Sequence, residues 1–372
     1  MTNVQVTAAE LTARTILRKD LVADRSAFLD TRIPGSEGKI NYPLIGRGVS
    51  ENPGQVVPVT EPHGFNLGAA VMPAGVVNNL HSHFTAEVFA CFAGEWLFRW
   101  GVDGQDGEVV VRDGDVISIP SWMFRGFTSL TDDAWLFSVL GRDESGGLIW
   151  APSVVAESGR YGMHLTIDNR IIETELGEVP IDVELVRPLT ENDLGHMRRP
   201  TVAQMRRRLA TPEDLEWSGR ALVDWMLPGG AAQLAAVVGY GISADRDQEP
   251  RIHNPHGFSL AWLRAEPGQG VLRHRHSESQ VLIVKNGLWR VTLNDEKPVS
   301  VDIGPYDTLS IPAGAWRRFE SIGPETGQLV LVTGGDGSIA LEWSTEVLEL
   351  ARSAGVTHDA DGYLAPAHLV HD

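Results

Sequence analysis

The chain contains the same histidine-rich segment twice, and this repeat limits the folds that it can adopt. The two copies are 193 residues apart (268 − 75 and 287 − 94). Their shared positions are Gly75, His81, His83, Glu87 and Gly94 in the first copy, and Gly268, His274, His276, Gln280 and Gly287 in the second. On a β-strand, residues i and i+2 face the same side. Each His-X-His pair therefore directs two imidazoles into one space, as borderline divalent metals require.

The repeat extends beyond the histidines and divides the chain into two modules. Further matched positions are Gly46, Gly48 and Ser50 with Gly239, Gly241 and Ser243, and Asp115, Pro120 and Arg125 with Asp307, Pro312 and Arg317. The last three pairs are 192 residues apart (307 − 115), so one residue is lost between the motifs. We expect module 1 at 41–155 and module 2 at 234–345. An N-terminal helical arm (1–40), a mixed helical connector (156–233) and a C-terminal helix and tail (346–372) complete the chain.

Each module consists of short apolar or alternating runs separated by Gly, Pro, Asn and Asp, which is typical of an antiparallel sandwich or barrel. Examples are 65–72, 88–92, 96–100 and 116–120 in module 1, and 258–263, 281–284, 289–293 and 308–312 in module 2. Helices are predicted at 7–19, where Thr7 and Glu10 can form a capping box, at 201–209, from Pro212 onward and at 344–354. The tail after about residue 357 is predicted to be poorly ordered or to depend on a partner.

Charge and composition exclude several classes of partner. The net charge of −18 argues against nucleic acid and anionic membrane surfaces, so we expect a small-molecule substrate. The sequence shows neither a signal pattern nor an apolar run of membrane-spanning length, and we expect a cytoplasmic protein. The single cysteine, Cys91, excludes an internal disulfide and a multi-thiolate metal site. Exposed sheet edges of barrels often pair, which favours a homodimer.

The first motif, Gly75-x5-His81-x-His83-x3-Glu87-x6-Gly94, resembles the first signature of the cupin superfamily. The second signature is partly present at Gly114-Asp115-x4-Pro120 and at Asp307-x4-Pro312-x-Gly314. The chain therefore resembles a bicupin, which implies an all-β protein with two jelly-roll barrels in one polypeptide. The stretch His274-Arg275-His276-Ser277 and the two-module plan look similar to the gentisate dioxygenase and quercetinase branches of that superfamily.

The chain departs from the family pattern at one position in each module. A cupin usually supplies a third histidine five residues after the second-motif proline, where this chain has Arg125 and Arg317. A protonated guanidinium has no lone pair and cannot ligate a metal. The candidate ligands are then His81, His83 and Glu87 in module 1, and His274, His276 and Gln280 in module 2. Because an amide is a poorer ligand than a carboxylate, a divalent cation should prefer module 1. The resemblance implies Fe(II), with Mn, Ni, Co or Zn as alternatives.

Three functions are compatible with these residues. The first is an Fe(II)-dependent dioxygenase acting on an aromatic or enolisable molecule, in which Arg125 orients an anionic substrate and Glu87 doubles as a base. The second is a metal-assisted lyase, isomerase or decarboxylase that needs no dioxygen. The third is a non-catalytic binder of small anions that uses Arg125 and Arg317. A vestigial site, in which Arg125 forms a salt bridge with Glu87 and no metal binds, remains an alternative in module 1.

Five aromatic residues are candidates for the wall of a substrate pocket. Trp96 lies on a predicted strand along which Trp96, Phe98 and Trp100 alternate on one face, and Trp289 has the matching position in module 2. Trp122, Phe124 and Trp316 flank the two arginines. An aromatic ring beside a cation would suit a flat substrate. The same residues would serve equally as core or as a cover for the barrel end.

Overall fold

The computed structural model describes residues 3–370, which form two compact units. The first unit is Val22–Glu213. The second starts at Asp214 and also contains the N-terminal arm up to Leu21. Predicted modules 1 and 2 each lie within one unit, whereas the predicted connector is divided between them at residue 213.

The strands account for most of the regular structure between residues 3 and 370. In chain order they are β1 Thr15–Ile16, β2 Ile40–Ile45, β3 Phe65–Met72, β4 Val77–His83, β5 Glu87–Ala93, β6 Glu95–Trp100, β7 Gly107–Arg112, β8 Val116–Ile119, β9 Arg125–Ser129, β10 Ala134–Gly141, β11 Leu148–Trp150, β12 Met163–Leu165, β13 Ile171–Glu173 and β14 Leu209–Ala210. They continue with β15 Gln233–Val238, β16 Phe258–Ala265, β17 Gly270–Arg275, β18 Gln280–Asn286, β19 Trp289–Leu293, β20 Val299–Ile303, β21 Thr308–Ile311, β22 Arg317–Ser321, β23 Gly327–Gly334, β24 Glu342–Trp343, β25 Val356–His358 and β26 Leu364–Pro366.

The first unit is a jelly-roll barrel made of two facing antiparallel sheets. One sheet has six strands in the order β14-β8-β5-β10-β3-β2, and the other has five in the order β11-β4-β9-β6-β7. Side chains from both sheets meet between them, since the ring of Phe89 on β5 lies 5.2 Å from that of Phe98 on β6 and 5.4 Å from that of Phe127 on β9. The alternation along β6 buries Trp96, Phe98 and Trp100 while the intervening residues are partly exposed, as the period-two pattern predicts.

The second unit repeats this architecture. Its six-stranded sheet has the order β1-β21-β18-β23-β16-β15, and its five-stranded sheet has the order β20-β19-β22-β17-β24. The short strand β1 of the N-terminal arm covers the edge strand β21, just as β14 covers β8 in the first unit. Strand addition of this kind satisfies backbone groups that an open sheet edge would leave unpaired.

The helices are shorter than the sequence pattern predicts. They are α1 Ala8–Ala13, α2 Pro152–Arg160, α3 Glu191–Leu194, α4 Val202–Arg206 and α5 Thr345–Ser353, with 3-10 turns at Arg18–Asp20, Leu29–Arg32, Pro212–Asp214 and Ala367–Leu369. The capping box of Thr7 and Glu10 is confirmed, but the prediction of a helix to residue 19 is wrong because Thr15 and Ile16 pair with β21. At Pro212 the chain makes a single 3-10 turn in place of the predicted helix.

The C-terminal tail differs from its prediction. Strands β25 and β26 form a hairpin, and the backbone N–H of Leu364 donates to the carbonyl of Ala244 at 2.9 Å. Val356 and Leu364 also pack against the apolar core of the second unit. These apolar contacts explain why the segment after residue 357 is ordered. Over residues 3–370, the helices are all too short or too polar to cross a bilayer.

Candidate functional site

The first barrel brings the predicted residues of module 1 together between its two sheets. His81 and His83 lie at the end of β4, Glu87 begins β5 and Arg125 begins β9, and all four side chains are buried. The imidazole centroids of His81 and His83 are 5.2 Å apart. Nε2 of His83 lies 3.6 Å from Oε2 of Glu87, which is beyond hydrogen-bond distance.

Arg125 is held directly against these residues. Its Cα is paired with that of His81 across the β4–β9 ladder, so both side chains lie on the same face. Nη2 forms an ion pair with Oε2 of Glu87, and Nη1 donates to the backbone carbonyl of His81 at 2.8 Å. The guanidinium is 1% exposed. The salt bridge that the sequence left as an alternative is therefore present.

The two imidazoles of this barrel are neutral at ordinary pH. Burial, followed by the nearby guanidinium of Arg125, holds the pKa of both His81 and His83 well below its usual value. Nδ1 of His81 lies 2.7 Å from the carbonyl of Asn79, which can only accept, so Nδ1 carries the proton. For His83 neither ring nitrogen has a hydrogen-bond partner among residues 3–370. Burial raises the pKa of Glu87, and the charge of Arg125 opposes this increase.

A cavity of about 70 Å³ lies next to these side chains. Its polar lining includes Asn41, Arg47, Ser50, Asn66, Asn78, His81, His83, Glu87 and Ser138, and its ring-bearing walls are Phe28, Phe89 and Phe127. Each water takes up about 30 Å³ in the liquid, so the cavity holds about two waters or a molecule of similar size.

The aromatic residues predicted to form the pocket wall lie elsewhere. Trp96 packs in the core, with its ring 5.7 Å from that of Phe127. Phe124 belongs to a separate apolar cluster beneath the connector. Trp122 is 38% exposed and contacts Phe84 edge to face. Phe89 lines the cavity instead, and its position two residues after Glu87 on the same strand was the signal that could have identified it.

Sequence reasoning also missed Arg47, which is exposed and contributes to the lining of the cavity. It stands between Gly46 and Gly48, which have φ values of 69° and 60°, a backbone conformation that favours glycine. Asn66 fixes this loop, because its Oδ1 accepts from the N–H of Gly48 at 3.0 Å. Within residues 3–370 the guanidinium of Arg47 has no hydrogen-bond or ion-pair partner. The glycines were visible in the repeat, but module 2 has Tyr240 at the matching position.

The second barrel buries its matching residues even more completely. His274, His276, Gln280 and Arg317 are all 0% exposed. Nη1 of Arg317 lies 2.9 Å from Nε2 of His276 and 3.3 Å from Oε1 of Gln280, while Nη2 and Nε donate to the carbonyls of Pro312 and Ala315, both at 3.1 Å. Burial without a carboxylate lowers the pKa of Arg317 to about 9. Nδ1 of His274 bonds to the carbonyl of Leu272 at 2.8 Å.

The remaining predicted pocket residues of module 2 do not border this group. Trp289 is fully buried in the apolar core of the unit. Trp316 packs under the guanidinium of Arg275, 4.6 Å from the ring centroid. Cavities of about 290 and 320 Å³ in this unit are lined by other residues, including parts of the C-terminal hairpin, and by neither His274 nor His276.

The predicted metal ligands converge, but they are not arranged as a metal site. Among residues 3–370, no group of three or more His, Cys, Asp or Glu side chains is placed to hold a metal ion. The six predicted ligands are His81, His83, Glu87, His274, His276 and Gln280. In the first barrel Arg125 binds the carboxylate of Glu87, and in the second Arg317 binds His276 and Gln280. As arranged, the donors of neither barrel fit a divalent metal.

Comparison with known proteins agrees with this architecture. The family model described as "Cupin domain" matches residues 261–333. No curated protein matches the chain. The oxalate decarboxylase of Lactobacillus farciminis, solved as a formate complex, superposes with a TM-score of 0.56 at 13% identity and covers 94% of this chain and 91% of its own. A Bacillus subtilis oxalate decarboxylase structure, described as having Mn(II) centres, gives 0.55 at 13% identity over 93% and 82%.

Two jelly-roll barrels in one polypeptide, each with a buried His-X-His pair, define a bicupin. Residues 261–333 match a cupin domain, and the chain as a whole has the bicupin fold. At 12–13% identity the likeness to the solved structures concerns the fold alone. These structures are decarboxylases, so they do not support the predicted dioxygenase activity or the predicted iron.

Proposed function

We propose that the first barrel converts a small carboxylic acid by chemistry that needs no dioxygen, of the lyase, isomerase or decarboxylase type. The observation that carries this proposal is the small cavity beside His83, whose two ring nitrogens are unpaired next to the Arg125–Glu87 ion pair. An unpaired buried imidazole that faces a cavity is placed to exchange a proton with a bound molecule.

The residues present are suited to proton transfer at a carbon next to a carboxylate. Nε2 of His83 would take the proton, and the electron pair of the broken C–H bond would move onto the carboxylate oxygen to give an enolate. The positive charge of Arg125 lies in the same buried region, where a fixed charge stabilises developing negative charge more effectively than it would in water. Return of the proton to another atom, or loss of a leaving group from the neighbouring carbon, would complete the reaction. In a decarboxylation the C–C bond to a carboxylate would break in place of the C–H bond, and the enolate left by the departing CO2 would take up a proton.

Arg47 is placed to recognise the substrate. Arg47 lines the cavity, its guanidinium has no partner within residues 3–370, and a guanidinium forms two parallel hydrogen bonds with a carboxylate. The glycines on either side allow the positive φ values of the loop, and the hydrogen bond from Gly48 to Asn66 restrains it. In a chain with a net charge of −18, such a local cation is needed to attract an anionic substrate.

The comparisons supply the first compounds to test. The structures that share the fold are oxalate decarboxylases, and one of them was solved with formate. Both are small carboxylates, and a molecule of oxalate's size agrees with a cavity of about 70 Å³. Because oxalate has no C–H bond for His83 to break, we expect acids of three or four carbons that carry a hydrogen on the carbon next to a carboxylate, and oxalate tests the decarboxylation route alone.

The experiment compares turnover of the full chain with and without dioxygen. Oxalate and a panel of three- and four-carbon dicarboxylates would be followed by NMR and by CO2 release, with added Mn²⁺ and after treatment with chelator. The proposal expects equal rates under air and under strictly anaerobic conditions. Dioxygen uptake in proportion to substrate loss would overturn it. Saturable binding of the acids without turnover would replace it with the third function, a small-anion binder.

A variant tests whether the chemistry takes place in the first barrel. His83→Gln should lower kcat by about 100-fold or more, which is the usual contribution of a positioned acid–base group. His196→Gln is the matched control, because His196 is exposed and does not line the cavity. Equal activity of the two variants would mean that His83 is not the catalytic group.

A further inference from the structure

The two barrels place a guanidinium at the same point. Arg125 faces His81 across the β4–β9 ladder, and Arg317 faces His274 across the β17–β22 ladder. We infer that these guanidinium groups take the place of a metal cation, so that each barrel has a covalently attached cationic centre and the protein carries no divalent metal there. This inference concerns metal content, and its test does not depend on whether the proposed reaction takes place.

In the first barrel the guanidinium of Arg125 is ion-paired with Glu87, which is the carboxylate of the candidate site. Its Nη2 pairs with Glu87, and its Nη1 is fixed by the carbonyl of His81. A metal ion would have to displace this ion pair to gain an anionic ligand. The pair is already electrically neutral, whereas a divalent ion added beside it would leave two uncompensated charges in a buried space.

In the second barrel the guanidinium occupies lone pairs that a metal would need. Nη1 of Arg317 can only donate, so Nε2 of His276 is the acceptor in their contact of 2.9 Å. Oε1 of Gln280 accepts from the same nitrogen at 3.3 Å. His274 retains one unpaired nitrogen, Nε2, and a structural or catalytic metal site needs three or four protein donors.

The position of each guanidinium is fixed by more than the candidate ligands. Arg317 also donates to two backbone carbonyls, those of Pro312 and Ala315. Both arginine side chains are almost completely buried, at 1% and 0% exposure. Movement of either charge away from these partners would remove its compensation inside the protein, which is strongly unfavourable. Arginine occupies the matching position of both barrels, although its partners differ between them.

The first experiment is elemental analysis of the full chain produced in medium supplied with Mn, Fe, Co, Ni and Zn and purified without chelator. The inference expects less than one-tenth of an equivalent of any of these metals per chain, and a melting temperature that is unchanged by chelator. One or two equivalents per chain, retained through gel filtration, would overturn it.

The second experiment restores the imidazole that the resemblance leads one to expect. Arg125→His removes the guanidinium and frees Glu87, so this variant should bind one equivalent of Co²⁺ and show visible d–d absorption. Gln280→Glu combined with Arg317→His should do the same in the second barrel, and it keeps the test open if Arg125→His fails to fold. Arg207→His, at an exposed position, is the control. Folded variants of both barrels that bind no Co²⁺, like the control, would show that the guanidinium is not what excludes the metal.

Discussion

Asp30 and Asp224 hold matching positions in the two barrels, but only Asp30 has a cationic partner. The backbone N–H of Asn79 donates to Asp30 at 3.0 Å, and that of Leu272, 193 residues later (272 − 79), donates to Asp224 at 2.6 Å. Lys39 forms a buried ion pair with Asp30. Within residues 3–370, no cation pairs with Asp224, and its Oδ1 has no hydrogen-bond partner. The same buried carboxyl is therefore neutralised by a lysine in one barrel and by a proton in the other.

Replacement of Asp224 should stabilise the protein above neutral pH. Burial raises the pKa of Asp224 from 3.8 to about 7. Between these values the unfolded chain has lost the proton that the native state keeps, so the free energy of unfolding falls as pH rises through this window. Asp224→Asn cannot ionise and lacks this decrease. At pH 8 its free energy of unfolding should exceed that of the wild type by about 2–4 kcal/mol, since one pKa unit corresponds to about 1.4 kcal/mol. Urea denaturation across pH 4–8 measures this difference.

The matched variant Asp30→Asn should have the opposite effect. It would leave Lys39 buried without its counter-ion, and loss of one partner from a buried ion pair typically costs about 3–5 kcal/mol. Burial already lowers the pKa of Lys39, and Asp30 is the main group that opposes this decrease. Similar shifts in stability for Asp30→Asn and Asp224→Asn at pH 8 would contradict the distinction between the two sites.

The ion pair between Arg125 and Glu87 should show strong coupling. Glu87→Gln leaves the buried guanidinium without an anion and should lower the free energy of unfolding by about 2–4 kcal/mol, at the lower end of the usual range because the amide still accepts a hydrogen bond. Arg125→Met in the same chain removes the unpaired charge, so the double variant should recover at least half of the loss. Chemical denaturation of the two single variants and the double variant measures the coupling. Additive losses would show that the ion pair does not operate as a unit.

Much of the fold was predictable because it follows from local pattern and repetition. The predicted runs 65–72 and 289–293 coincide with β3 and β19, since a short apolar or alternating run bounded by turn residues defines a strand and its ends. The predicted helix starts at Thr7 and Thr201 are correct, and in the structure both residues belong to capping boxes. The helix ends were not predictable, because β1 forms through pairing with β21, some 290 residues away in the sequence (309 − 15 = 294), and local propensity carries no information about such a partner.

The sequence predicted which residues meet at the candidate site, but it did not predict how their side chains pair. The i, i+2 spacing of His81 and His83 and the register of the strands bring the expected residues together. The identity of Arg125 suggested a salt bridge as one of two outcomes, and only its position opposite His81 decides between them. The cavity walls were missed because Phe28 and Arg47 belong to the arm and to a loop, whose approach to the barrel depends on tertiary packing.

Arg47 should control affinity for the carboxylate without affecting the chemical step. Arg47→Gln removes the charge that would hold the substrate, and one charge-assisted hydrogen bond is worth about 1.5–3 kcal/mol. Since the residue is exposed, we expect the lower end of this range, a rise in KM of about tenfold, with kcat changed less than about twofold. Arg47→Lys keeps the charge but not the forked geometry, so its KM should lie between those of the wild type and of Arg47→Gln. Arg207→Gln is the surface control; an equal effect of that change, or a loss of kcat alone in Arg47→Gln, would refute this role.

The loop that carries Arg47 should be sensitive to a single methyl group. A Cβ on Gly46 would overlap Oδ1 of Asn66, the atom that accepts the hydrogen bond from Gly48, and the φ of 69° at Gly46 is unfavourable for alanine. Gly46→Ala should therefore displace the loop, raise KM in the same direction as Arg47→Gln and lower the melting temperature by a few degrees. In the double variant Gly46→Ala, Arg47→Gln the increase in KM should be no larger than in Arg47→Gln alone, because both changes remove the same contact. Multiplicative increases would show that Gly46 affects binding through a route that does not involve Arg47.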